Sequence, residues 1–200
     1  MNDTKQKILD AASSLFLEGG AAALSVRAIA GRAEMSTIGI YSHFKGKQGI
    51  LDALYTDAAE LASTAMDVPF EAMTPRAALL QAADNYVSLS ETHEAHYRLF
   101  FGESDPGYQP SEQAQAAASQ AFGKLLKLTA FVMPPSTGPD ECRETAIGIW
   151  ALMHGFFGLR HHASAEGLQV SNWRALILKT VVGQMESVLA EREAPGSTPG

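Results

Sequence analysis

Three observations predict an all-α chain. Apolar residues recur at three- and four-residue intervals through most of the 200 positions, no alternating strand pattern of convincing length interrupts them, and alanine, the best helix former, is abundant. The breaks fall where turn chemistry puts them, at Gly19-Gly20, Gly46, Pro69, Asp105-Pro106-Gly107, Pro134-Pro135 through Pro139, and Glu166-Gly167. With 46% apolar residues the chain is long enough to bury a core without covalent staples. The single cysteine, Cys142, excludes a disulfide framework within one chain and a cysteine-only zinc cluster, and makes a reducing compartment, the cytoplasm, the expected location. No stretch approaches the ~18 apolar residues of a membrane span, and the polar start Met1–Lys7 has no signal-peptide core.

The elements follow in order. Ile8, Leu9, Ala12, Leu15 and Phe16 share one helical face after Thr4, a candidate N-cap, and that helix ends at Gly19-Gly20. Ser25 caps a short second helix whose stripe is Val26, Ile29, Ala30 and Ala33. Ser36 caps a third, Thr37 to Phe44, stopping near Gly46. Only Glu34-Met35 and their neighbours separate the second and third helices, which makes the connection a helix-turn-helix. A longer helix runs from Lys47 to about Asp67, with Ile50, Leu51, Leu54, Tyr55, Ala58 and Leu61 inward. Further helical patterns cover 74–94, 96–102, 111–132, 140–163 and 172–193, and the turn-formers after Ala194 predict a disordered tail. The expected division is a helix-turn-helix domain over 1–47, a longer helical domain over 48–193, and the tail over 194–200.

The formal charge of −7 argues on average against a partner as acidic as DNA. Its distribution says otherwise. Residues 1–50 carry six basic against four acidic side chains, a net of +2, and the remaining 150 carry nine against eighteen, a net of −9. A basic head on an acidic body is the asymmetry of a small nucleic-acid reader joined to something else.

A helix-turn-helix lays its second helix in the major groove. Here that helix opens at Ser36. Ile40 and Phe44, four apart, can pack inward on Phe16, Ile29 and Leu51, leaving Thr37, Ile38, Tyr41, Ser42 and His43 outward. Thr37 and Ile38 stand near the helix N-terminus, where a hydroxyl can bond a base edge or phosphate and an aliphatic group can pack on a thymine methyl. Gly39 costs about 1 kcal/mol of helix propensity relative to alanine. Close approach of the backbone to DNA would account for it, and so would close packing on a neighbouring helix. Tyr41, His43, Lys45 and Lys47 are donors at the end of the reader and the start of the next helix, whose N–H groups add a phosphate site. Arg27, in the first turn of the crossing helix, is a further phosphate candidate.

These residues resemble a known family. Ile8-Leu9-Asp10-Ala11-Ala12 through Phe16, the glycine pair, Ser25-Val26-Arg27-Ala28-Ile29-Ala30, Ala33, Met35-Ser36, Ile40-Tyr41-Ser42-His43-Phe44-Lys45-Gly46-Lys47 and Leu51, spread over residues 8–54, look like the N-terminal domain of TetR/AcrR-type transcriptional regulators. The resemblance implies phosphate contacts from Tyr41, His43 and Lys47. Ile40 stands where leucine is frequent in the family, and Ile38-Gly39 where a Gly-Thr or Gly-Ser pair is frequent.

For the body the resemblance implies only architecture: a helical ligand-binding domain, and a homodimer made by the last two long helices, here 140–163 and 172–193. The residues agree. Ile147, Ile149, Trp150, Ala151, Met153, Phe156, Phe157 and Leu159 make one helix apolar on more than one face, and Trp173, Leu176, Ile177, Val181, Met185 and Val188 recur on the other. Trp150-Ala151-Leu152-Met153-His154-Gly155 resembles a Trp-x-x-x-His-Gly run of the family's C-terminal domains. Tyr86, Tyr97, Phe100, Phe101, Phe122, Leu126, Phe131, Met133, Trp150 and Met153 are the candidate pocket lining, with His93, His96 and His154 as polar fixings.

Catalysis finds little footing. His93-Glu94-Ala95-His96 misses the zinc-protease pattern because Tyr97 stands where the second histidine belongs, and there is no Gly-x-Ser-x-Gly elbow, P-loop or dinucleotide fingerprint. The expectation is a non-enzymatic regulator with no cofactor and no metal. It would be a repressor released from a palindromic double-stranded DNA operator by a small apolar or aromatic effector. The alternatives are a metal-sensing regulator of the same fold using His93 and His96, or a helical enzyme or adaptor without DNA binding.

Overall fold

A computed structural model describes residues 3–101, 106–161 and 165–193; the tail over 194–200 lies outside them. Among the described residues the order is α1 (Asp3–Gly19), α2 (Val26–Arg32), α3 (Thr37–Phe44), α4 (Lys47–Ala65), α5 (Pro75–Thr92), α6 (Glu94–Phe100), α7 (Glu112–Val132), α8 (Pro139–Arg160), α9 (Trp173–Gln184) and α10 (Glu186–Glu193), with short 3-10 turns at Ala21–Ala23, Phe70–Ala72 and Ala165–Leu168 and no strand. The fold is all-α. The chain divides into two compact units, one of residues 1–62 and 91–120, the other of 63–90 and 121–200.

In the first unit α1 buries Ile8, Leu9, Ala12 and Phe16, and Leu24, Ile29, Ala30, Ile40, Phe44, Ile50, Leu51 and Leu54 complete one apolar cluster with Ala95 and Leu99 of α6. The inward packing expected of Ile40 and Phe44 is present. Helix α1 opens at Asp3, so Thr4 lies inside its first turn. Ser25 caps α2 by accepting from the Ala28 N–H at 3.1 Å, and Ser36 caps α3 by accepting from the Gly39 N–H at 3.2 Å. The turn between them closes through Glu34, held at φ 54, and the Met35 N–H, which donates to the Ala30 carbonyl at 2.9 Å. Helix α3 stops because Lys45 turns left-handed at φ 57, and Gly46 follows at φ 100. Around Asp52 on α4 a second connection is fastened. The Tyr108 hydroxyl, the Ser111 N–H and the Ser111 hydroxyl donate to its carboxylate at 3.2, 2.8 and 2.6 Å, and the Gln48 amide donates to the Gln109 carbonyl at 2.8 Å.

The second unit is built on α5, α8 and α9. Val87, Leu128, Val132, Ala146, Ile149, Phe157, Ile177, Val181 and Leu189 form its dry interior. Two ion pairs tie α5 to the C-terminal helices: Arg174 with Asp84 at 2.7 Å and Arg76 with Glu186 at 2.8 Å. The pattern over 172–193 resolves into two helices with a turn at Met185, at φ −102 and ψ 7. Met185 and Leu189 are both buried across the turn. The apolar period therefore runs through the break and hides it in the sequence, where Gly183 is the one local hint of weakness.

Candidate functional site

Helix α3 presents the face expected of a reader. Ile38 is 78% exposed and Tyr41 57% exposed, with Thr37 and Ser42 exposed beside them and His43 half-buried. Ser36 is exposed, its oxygen accepting in the cap and its hydroxyl proton still able to donate, and the Ser42 hydroxyl donates to the Gly39 carbonyl at 2.8 Å, which leaves its oxygen able to accept. Arg27 and Lys45 are exposed and form no ion pair among the described residues. Lys47 is half-buried, its ammonium donating to the Ala21 carbonyl across a long 3.5 Å. Arg32, the other arginine of the head, is committed elsewhere: its guanidinium binds the Glu18 carboxylate through two 2.7 Å bonds and Ser14 through a third. That pairing holds the Glu18 carboxyl below its usual range.

Two glycines acquire reasons here. A Cβ on Gly39 would meet only Met35 Sδ at 3.6 Å and Ser36 Oγ at 3.7 Å, ordinary contacts, so packing inside the chain does not call for glycine at that place. Gly49 is the opposite case, because a Cβ there would overlap the Phe44 carbonyl oxygen. The first turn of α4 crosses the last turn of α3 at backbone distance, and only glycine permits it. Reasoning from the sequence passed over Gly49; its signal was the Gly46-Lys47-Gln48-Gly49 spacing after a predicted helix end.

The candidate pocket residues gather into two groups. In the second unit, Tyr86 of α5, Phe122 of α7 and Trp150, His154 and Phe157 of α8 stack successively: Phe122 lies 5.7 Å from Trp150, Trp150 5.3 Å edge-on to His154, and Tyr86 6.2 Å from both His154 and Phe157. Met153 is buried on the same helix, and Leu126 is half-buried on α7. The Tyr86 hydroxyl stands 3.5 Å from His154 Nε2 and shares a side-chain hydrogen bond with Trp150. Burial pushes the Tyr86 phenol up and pulls the His154 imidazole down to about 4, so both are neutral at pH 7. Phe131 packs on Phe70 at 5.1 Å, and Met133 is buried.

The other group belongs to the first unit. Phe101 packs on Tyr97 at 4.8 Å and on Phe100 at 4.5 Å, and Phe100 on Tyr55 at 4.6 Å. His93 and His96 stand edge to face at 5.9 Å beside a groove of about 450 Å³ that Asp10, Ser13 and Glu94 also line. Desolvation, then the neighbouring His93, lowers the His96 imidazole, with Asp10 opposing them. Among the described residues no group of three or more His, Cys, Asp or Glu is placed to hold a metal ion, so the metal-sensing alternative lacks a third ligand there. No helix among them is long and apolar enough to cross a membrane.

Comparison with known proteins agrees with this arrangement. No curated protein matches the chain. In solved structures the same fold recurs: a protein of unknown function from Rhodococcus sp. RHA1 superposes with a TM-score of 0.75 at 21% identity, covering 94% of this chain and 97% of its own. A tetR-family bacterial regulatory protein from Rhodococcus RHA1 gives 0.72 at 18%, covering 94% and 98%. AibR, solved in complex with isovaleryl coenzyme A and operator DNA, gives 0.67 at 14%, covering 91% and 97%. At these identities the likeness is one of fold. Family models reach further: residues 8–54 match the bacterial regulatory proteins of the tetR family, and residues 79–176 match the tetracyclin repressor-like C-terminal domain. With both parts of that pattern matched in order, the chain belongs to the TetR family of transcription regulators, which join a helix-turn-helix DNA-binding domain to a helical ligand-binding domain.

Proposed function

We propose that this chain is a repressor that reads a palindromic operator as a homodimer in the cytoplasm and leaves it when a small, largely apolar or aromatic effector binds. The observation that carries the reading is the exposed face of α3, where Thr37, Ile38 and Tyr41 stand exposed around the half-buried Gly39. Thr37 and Ile38 would meet base edges. Arg27, Tyr41, Ser42, His43, Lys45 and Lys47 would hold phosphates and set register. Two such helices would enter successive major grooves about 34–36 Å apart. The effector would settle among Tyr86, Phe122, Leu126, Trp150, Met153 and His154, and residues 47–67 would act as the lever that takes the readers out of register. AibR supplies a precedent for one such fold holding operator DNA together with a small molecule.

The dimer would form through α8 and α9. Helix α8 exposes Ile147, Ala151, Gly155, Gly158 and Leu159 along one stripe, and α9 exposes Ala175 and Gly183. Small residues on such a face let a partner helix approach closely. The deciding experiment is selection of genomic DNA fragments by the purified chain, followed by gel shift at fixed salt. Palindromic fragments should be retained, Tyr41→Ala should weaken every one of them, and placing such a fragment before a reporter gene should lower its expression in the presence of the protein. Retention of no fragment would refute the reading.

A further inference from the structure

The head carries a cation that the exposed face of α3 does not account for. On α1, Lys5 stands one turn ahead of Ile8 and Leu9, so its stem continues the buried stripe of that helix toward the N-terminal end. Its ammonium emerges over the ring of Phe44, 5.8 Å from the centroid, where the ring quadrupole attracts a cation. Phe44 is the last residue of α3, and Lys45, exposed, follows it in the left-handed turn. Tyr41 belongs to the same last turn, its ring packed on Gly46, where a Cβ would lie 3.0 Å from Tyr41 Cε1. The first turn of α1 thus delivers a positive group to the end of the helix where Tyr41, His43 and Lys45 would hold phosphates.

The neighbouring charges have other partners. Lys7, the other lysine at that end of α1, pairs with Glu34 of the helix-turn-helix turn at 3.4 Å, and Arg32 is held by Glu18 through two 2.7 Å bonds. Asp10 accepts from the Gln6 amide at 2.8 Å. Asp3, two residues before Lys5, projects roughly 200° around the helix from it. Lys5 itself is exposed and forms no ion pair or hydrogen bond among the described residues. An aromatic ring fixes where an ammonium stands and leaves it its charge, so less side-chain freedom remains to be lost when an anion arrives. We propose that Lys5 is a further phosphate-holding residue of this regulator, its ammonium, positioned by Phe44, clamping one backbone phosphate of the operator beside the C-terminal end of α3. This clamp rests on the reading of α3 as the helix that enters the groove.

The test reads counterion release. Binding of the full chain to a fluorescein-labelled, mixed-sequence duplex of about 24 base pairs is followed by anisotropy from about 50 to 200 mM NaCl. Lys5→Met, which keeps an apolar stem over Phe44, should lower the slope of log affinity against log salt by about one and weaken binding about five- to tenfold near 100 mM salt, whatever the duplex sequence. Lys5→Gln should behave alike, and Lys5→Arg, which can still stack and donate, should keep both slope and affinity. Lys127→Met, which removes an exposed lysine of the second unit, should change neither. Circular dichroism melts on the same preparations show that each variant is folded. An unchanged slope in Lys5→Met and Lys5→Gln overturns the proposal even if the melting temperature falls, because a lysine that only covers Phe44 would alter stability and leave the slope alone. An equal fall in Lys127→Met overturns it too, since that would mark overall charge and not contact. A chain that binds no duplex refutes the reading of α3 and the clamp together. One whose affinity depends on Tyr41 while its slope ignores Lys5 keeps its reader and loses the clamp alone.

Discussion

Gly39 and Gly49 illustrate what single residues contribute and how differently a sequence discloses them. Gly39 stands out in the sequence because it weakens the reader helix, yet two explanations fit it equally well. Geometry decides part of the matter, since the space for a Cβ at 3.6 Å from Met35 Sδ removes packing within the chain as the reason. Gly39→Ala is therefore expected to raise the thermal midpoint, by up to about 1 kcal/mol of stability, and to lower operator affinity about tenfold in a gel shift. A variant that is stabilised and binds DNA as before would leave the glycine without a role at the groove. Gly49 attracts no attention in the sequence, being one residue in a helix with an otherwise ordinary apolar stripe. Its requirement is tertiary: the Phe44 carbonyl occupies the place of a side chain. Gly49→Ala should cost about 1–3 kcal/mol or more in urea unfolding. The loss should be shared by Gly49→Ser, because any Cβ meets the same oxygen.

At the scale of elements the sequence discloses most where a local signal and the apolar period coincide. Ser25 and Ser36 mark the starts of α2 and α3, and both caps are made as the spacing predicts. The α9–α10 break is illegible for the converse reason: Met185 and Leu189 keep the inward period through a turn that no proline marks. The aromatic residues were legible as a set and not as a grouping, because periodicity shows that Tyr86 and Tyr97 each face inward but not that one stacks with α8 and the other with Phe101. Helix α8 supports the prediction proper to this scale. Its exposed stripe includes Gly155 and Gly158, where an added Cβ would meet nothing within 4 Å. Gly155→Arg should accordingly leave the circular dichroism spectrum and the monomer fold unchanged while shifting sedimentation from dimer to monomer and weakening operator binding by more than tenfold. A Gly155→Arg protein that remains dimeric would move the interface off this stripe.

For the whole molecule, charge and protonation set the conditions under which it works. The net of −7 is the sum of a basic head and an acidic body, so the average misrepresents the only face expected to meet phosphate. Acid acts on the body through His154. Burial lowers that imidazole from its ordinary 6.5 to about 4, so the unfolded chain takes up a proton in the interval between those values and the folded chain does not. Unfolding is then favoured by protons: the contribution of neutral His154 is fully present above pH 6.5 and is lost as pH falls toward 4. Between pH 7 and pH 5 the loss from this one group should amount to about 2 kcal/mol, with His96, shifted the same way, adding to it. Urea unfolding at one protein concentration and several pH values measures the slope directly, and His154→Leu should flatten it over this window. A slope that His154→Leu leaves intact would show the imidazole to be better hydrated than its setting between Tyr86, Trp150 and Phe157 implies.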